Sequence, residues 1–136
     1  MYDHDSKLAW GVDDTEMFLA RLAGTSKCDA VICEDYTLYG HLAVQQTGSH
    51  FVAVQVIGAL KMWAYMRHTY LILQPASLKT SLTDDEMARL CGLNLRTALR
   101  GVVKSPHARD ALRHMFIYLL RSGEHECAVE VARKVR

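Results

Sequence analysis

The chain has 136 residues, half of them apolar and 23% charged, an ordinary globular composition that excludes a disordered tail and allows one domain with a modest core. Its net charge of +1 hides an asymmetry, because residues 1–36 carry three basic and eight acidic side chains whereas residues 96–136 carry nine and four. The acidic third suits a cation and the basic third a polyanion.

Four cysteines (Cys28, Cys33, Cys91 and Cys127) show no C-x-x-C spacing, and no signal peptide is read ahead of them. The expectation is a cytoplasmic protein with free, mostly buried thiols. The longest apolar run, Phe51 to Met66, is interrupted by Gln55, Gly58 and Lys61. It is shorter than the roughly 20 residues of a membrane span, so it reads as a core helix and not an anchor.

In chain order, Tyr2–Trp10 reads as a hairpin of two short strands around Asp5-Ser6. Asp13-Asp14-Thr15-Glu16 supplies caps for a helix through Met17, Phe18, Leu19 and Leu22, ended by Gly24. Asp29–Tyr36 is an apolar run closed by carboxylates, the pattern of a buried strand. Ser49 can cap a long helix to about His68, with Val52, Val56, Ala59, Leu60 and Trp63 at helical spacing. A second strand, Tyr70–Leu73, stops at Gln74-Pro75. Thr83-Asp-Asp-Glu86 is a capping box for a helix to Leu90, with Gly92 behind it. Ser105-Pro106 opens a helix to Leu120, and Glu124–Val135 forms the last, apolar along Ala128, Val129, Val131, Ala132 and Val135. Strands alternating with helices predict a layered α/β domain spanning residues 1–136.

Two groups of residues could carry chemistry. Glu34, with Asp35 beside it, ends an apolar strand, where α/β folds place their sites. The alternative is a strand that ends at Cys33 and leaves both carboxylates in water. In Pro106–His114, the side chains of His107, Asp110 and His114 follow at three- and four-residue spacing and face one way. An imidazole and a carboxylate within one turn can share a divalent cation. The alternative is an aspartate that favours the helix dipole beside an exposed histidine.

These pieces, with the Val56–Leu60 helix, the Tyr70–Leu73 strand, Gln74-Pro75-Ala-Ser-Leu-Lys79 and His107-Ala-Arg-Asp110-Ala111-Leu112, occur in a family order. The order resembles that of RuvC-type Holliday-junction resolvases, the small phage enzymes in particular, within the ribonuclease-H-like superfamily. The resemblance covers about Asp29 to Leu120. It implies a mixed sheet flanked by helices, a homodimer, and a metal-dependent endonuclease that nicks branched DNA in recombination. It also implies that Glu34, His107 and Asp110 are catalytic ligands converging on Mg²⁺, with Mn²⁺ as substitute. By the same resemblance Lys79 lies near the scissile phosphate. Arg109 and Arg113, one turn apart beside Asp110, would grip phosphates, and Tyr36 and Tyr39 would stack on unpaired bases or serve in packing.

The resemblance has one departure. The superfamily opens on a central strand bearing an Asp, and Met1–Gly11 reads instead as the second and third strands, without Asp-Pro-Gly or Gly-Thr-Gly before them. The first strand, and with it one ligand, is therefore expected to be missing, as in an N-terminally truncated form of such an enzyme. Three readings follow: a junction endonuclease, a relative that binds branched DNA without cutting, and a metal-free scaffold. The long helix is apolar beyond one stripe at Phe51, Val54, Ile57, Met62, Tyr65 and Met66, which makes it the expected dimer interface.

Overall fold

The computed structural model describes residues 14–25, 28–35, 52–94 and 96–135. The expected Tyr2–Trp10 hairpin, the Ser49 cap, Phe51, Tyr36 and Tyr39 lie outside the described residues. The described residues form helices α1 (Thr15–Gly24), α2 (Val52–Arg67), α3 (Asp84–Leu90), α4 (Arg96–Val102), α5 (Pro106–Arg121) and α6 (His125–Val135). Two strands, β1 (Ala30–Asp35) and β2 (Tyr70–Pro75), and a 3-10 turn, Ala76–Ser81, complete them. The chain is thus mixed α/β and mostly helical, and the sheet among the described residues is two parallel strands. These residues gather into two compact units, one up to Ala76 and one from Ser77 onward.

In the first unit, Asp14 caps α1 by accepting a hydrogen bond from the Met17 amide at 2.9 Å. No residue of α1 is fully buried, and Met17 and Leu19 are exposed. At the end of α2, His68 adopts φ 52°, and the Thr69 amide donates back to the Ala64 carbonyl at 3.0 Å. That six-to-one bond closes the helix and turns the chain into β2. The Thr69 hydroxyl then donates to the Cys28 carbonyl at 2.9 Å, and the Tyr70 amide to Asp29 at 3.2 Å. These bonds set the register in which Ala30 faces Tyr70, Glu34 faces Gln74 and Asp35 faces Pro75.

The helix α2 departs from the expected stripe. Only Leu60, Trp63 and Ala64 are buried; Val56 is half-buried, and Val52 is exposed. Val54, Met62, Tyr65 and Met66 are exposed too, so these apolar residues outside the stripe do face outward. The helix is apolar around much of its circumference, so periodicity could not choose its buried side.

The second unit holds the larger core. Phe116, Met87, Leu99, Val103, Val131, Val135 and Cys91 are its largest fully buried side chains. Thr83 caps α3 reciprocally: its hydroxyl accepts from the Glu86 amide at 3.2 Å, and the Glu86 carboxylate accepts from the Thr83 amide at 2.7 Å. Those bonds hold the Glu86 carboxyl below its usual range. Gly92, at φ 65°, lets the Leu93 amide reach the Ala88 carbonyl at 2.8 Å and ends the helix as expected. Ser105 accepts from the Ala108 amide, and Pro106 opens α5.

Three expectations change here. Helix α4 was not foreseen, because only Leu99 of its seven residues is buried and one anchor leaves no periodicity to read. Val129 of α6 is exposed while Ala128, Val131, Ala132 and Val135 are buried. Of the four thiols only Cys91 is buried; Cys28, Cys33 and Cys127 are half-exposed. Among the described residues no helix is long and apolar enough to cross a membrane.

Candidate functional site

The 3-10 turn after β2 carries Lys79, the capped start of α3 carries Asp84, and the first two turns of α5 carry Arg109, Asp110 and Arg113. These elements bring the side chains into one ionic network. Lys79 Nζ lies 3.1 Å from the Asp110 carboxylate, across 31 positions of sequence. Arg113 donates to Asp110 with one terminal nitrogen and to Asp84 with the other, while its Nε donates to the Leu82 carbonyl at 2.7 Å. Arg100 reaches the second oxygen of Asp84 at 3.2 Å, and Arg109 Nε lies 4.0 Å from the same atom.

The network thus joins four cations to two carboxylates. Its centre is Arg113, only 9% exposed, whose planar fork spans both acids as a lysine could not. A buried guanidinium is tolerated because its donor groups meet oxygens on three sides.

The electrostatics follow from the geometry. Partial burial pushes the Asp110 carboxyl up, but the Lys79 hydrogen bond and charge and the Arg113 guanidinium outweigh it and hold the group below its ordinary range. Asp110 is therefore ionised at neutral pH. A carboxyl with a lower pKa folded than unfolded stabilises the fold fully above its unfolded value and loses that contribution as pH falls through the folded value. The stability difference between wild type and Asp110→Asn should therefore be constant from neutral pH down to the ordinary aspartate range, near 3.8, and shrink below it. Thermal melts of both proteins across that range check this; a difference that grows on acidification would contradict the network.

The residues singled out in the sequence are distributed as follows. Lys79, Asp110 and Arg113 meet in the network. Arg113, expected to grip phosphate, spends its donors on Leu82, Asp84 and Asp110 instead. Arg109 is half-buried, and its Nη1 donates to the Val103 and Lys104 carbonyls at 2.8 Å each, bracing the approach to α5. His107 is exposed on the first turn of α5, whereas His114, expected to share its face with Asp110, is buried at 3% exposure. Glu34 and Asp35 lie half-buried at the C-terminal end of β1 in the first unit, opposite Gln74 and Pro75 of β2. The neighbouring Cys33 thiol is pushed up by burial and by the charges of Glu34 and Asp35, which disfavours a nucleophilic thiolate.

Asp84 belongs to the network and was not foreseen as a site residue; Arg100, which joins it, was read only as one of the basic residues of the last third, suited to a polyanion. Asp84 was legible only as part of a capping box, and its bonds to Arg100 and Arg113 cross 16 and 29 positions.

Carboxylate and imidazole, the donor types of Glu34, Asp110 and His107, are each types that Mg²⁺ or Mn²⁺ accepts, but Glu34 belongs to one unit and His107 and Asp110 to the other. Among the described residues, however, no three His, Cys, Asp or Glu side chains are gathered as a metal-ligand group. Comparisons with protein-family models, with curated proteins and with solved structures found no match.

Proposed function

We propose that this chain is a divalent-metal-dependent endonuclease of the RuvC type, ribonuclease-H-like in fold, which nicks branched DNA such as Holliday junctions. The observation that carries the reading is the Lys79–Asp110 pair. Two residues drawn from separate motifs of one resemblance, a basic residue for the scissile phosphate and a metal-binding carboxylate, lie 3.1 Å apart. Support also comes from the parallel pairing of β1 and β2, which sets Glu34 toward the C-terminal end of the sheet.

In this reading the resemblance assigns Glu34, His107 and Asp110 as the metal ligands, and a bound metal would lower the pKa of water and offset charge on the leaving oxygen. The chain's own residues do the rest. Asp110 stays ionised at neutral pH, Arg113 fixes it from the protein side, and Lys79 offers an ammonium to the phosphate. Tyr36 and Tyr39 serve unpaired bases, and Arg109 lines the approach. A homodimer joined through the exposed apolar side of α2 supplies the two symmetric nicks. The proposed setting is the cytoplasm, that of the host for a phage-encoded chain.

A second reading, binding of branched DNA without cutting, is favoured by one observation: both oxygens of Asp110 are already taken by Lys79 and Arg113. A synthetic four-way junction separates the two. Nicking with Mn²⁺ or Mg²⁺ supports the endonuclease. Binding in Ca²⁺ with no nicking in Mn²⁺ supports the second reading, and absence of binding removes both.

A further inference from the structure

Between Glu86 and Asp110 the chain carries no acidic residue, while residues 87–109 include five Lys or Arg. Part of this stretch lies in two short helices, the end of α3 and the whole of α4, which pack against each other. Their shared inner side is apolar: Met87, Ala88 and Cys91 meet Leu99 and Val103 in the core. The outer side of α4 is of another kind. Arg96, Thr97, Ala98, Arg100 and Gly101 are all exposed, with exposed Lys104 just past the helix end.

Two features of that outer side point to a partner. Arg96 and Arg100 stand one turn apart, and Arg100, though it reaches Asp84, keeps a side chain 54% exposed. Neither Arg96 nor Lys104 has an ion pair among the described residues, so their charges face water. The exposed residues between the cations are Thr97, Ala98 and Gly101, too short to keep another backbone away. A cationic helix with a low profile, anchored by one buried leucine on a supporting helix, fits a groove lined by phosphates. The wide major groove of B-form DNA admits a helix, whereas the deep, narrow one of A-form RNA does not.

We propose that the outer side of α4, with Lys104 just beyond it, forms a surface that binds a duplex DNA arm, with Arg96, Arg100 and Lys104 on phosphates and Thr97 toward the groove. This surface needs no metal and is separate from the assignment of Glu34, His107 and Asp110. It grips an unbranched arm, so its success or failure does not depend on nicking.

The test uses the full chain in EDTA with a linear DNA duplex, an RNA duplex of the same sequence, and fluorescence anisotropy across a salt series. Arg96→Ala with Lys104→Ala should weaken DNA binding about tenfold and lower the log–log salt slope by roughly two, one for each phosphate no longer neutralised. Both side chains are exposed and have no ion pair among the described residues, so circular dichroism should be unchanged. Ala98→Glu, which removes no cation and suits a helix, should weaken binding comparably by setting a carboxylate in the groove. Wild-type DNA binding with both losses, and weaker binding of RNA, supports the surface. No binding to linear DNA, RNA bound as tightly as DNA, or variants with wild-type affinity and slope would each overturn it.

Discussion

On the proposed role of Asp110 as a metal ligand, Asp110→Asn should lower Mn²⁺-dependent nicking of a four-way junction by about 100-fold or more, because such a ligand's charge supplies several kcal/mol and each 1.36 kcal/mol is about tenfold in rate. Junction binding in Ca²⁺ should persist. Asparagine keeps the shape of the side chain and one acceptor oxygen but loses the charge that Lys79 and Arg113 share. Arg113 would still be held by the Leu82 carbonyl and by Asp84, so the helix start should stay folded. Asp84→Asn is the informative companion. It touches the same guanidinium but is not an assigned ligand, and its effect on nicking should be far smaller. Equal losses in both variants would mean that Asp110 acts only as a member of the ion-pair network. Wild-type nicking by Asp110→Asn would remove it from the site altogether.

The largest effect on stability should come from Phe116→Ala. Phe116 has no exposed surface, and it sits in α5 among the residues of the larger core. Truncating a buried phenylalanine costs about 3–5 kcal/mol, from lost transfer energy and from the cavity left behind. Total stabilities run to about 5–15 kcal/mol, so the variant should lose a large share of its margin. Urea unfolding followed by helical circular dichroism should show a lower midpoint with little change in slope. Alanine at Val129, exposed at 51% on α6, should change stability by less than about 0.5 kcal/mol. A loss at Phe116 as small as that at Val129 would contradict the placement of the core.

Local chemistry made several elements legible. The starts of α1, α3 and α5 depend on Asp14, Thr83 with Glu86, and Ser105 with Pro106, each acting within three residues of the helix it opens. The strands β1 and β2 were visible as short apolar runs, although β2 continues through Gln74 and Pro75 where it was expected to stop, and Gly92 was visible as a helix stop. Asp110 and Lys79 stood out as residues because their motifs are local, each within a few positions of a proline.

What no local pattern could decide was which partner each side chain meets. The sequence by itself determined where the helix caps fall, since those bonds close over three or four residues. Only the tertiary structure decided that Arg113 is a buried brace between Asp84 and Asp110, because its partners are the Leu82 carbonyl, 31 positions away, and Asp84, 29 away. It also decided that α4 exists as a helix on the single anchor Leu99, and which side of α2 is covered. An apolar or charged residue is stabilised by whatever surface it meets, and that surface is assembled from distant segments only when the chain folds.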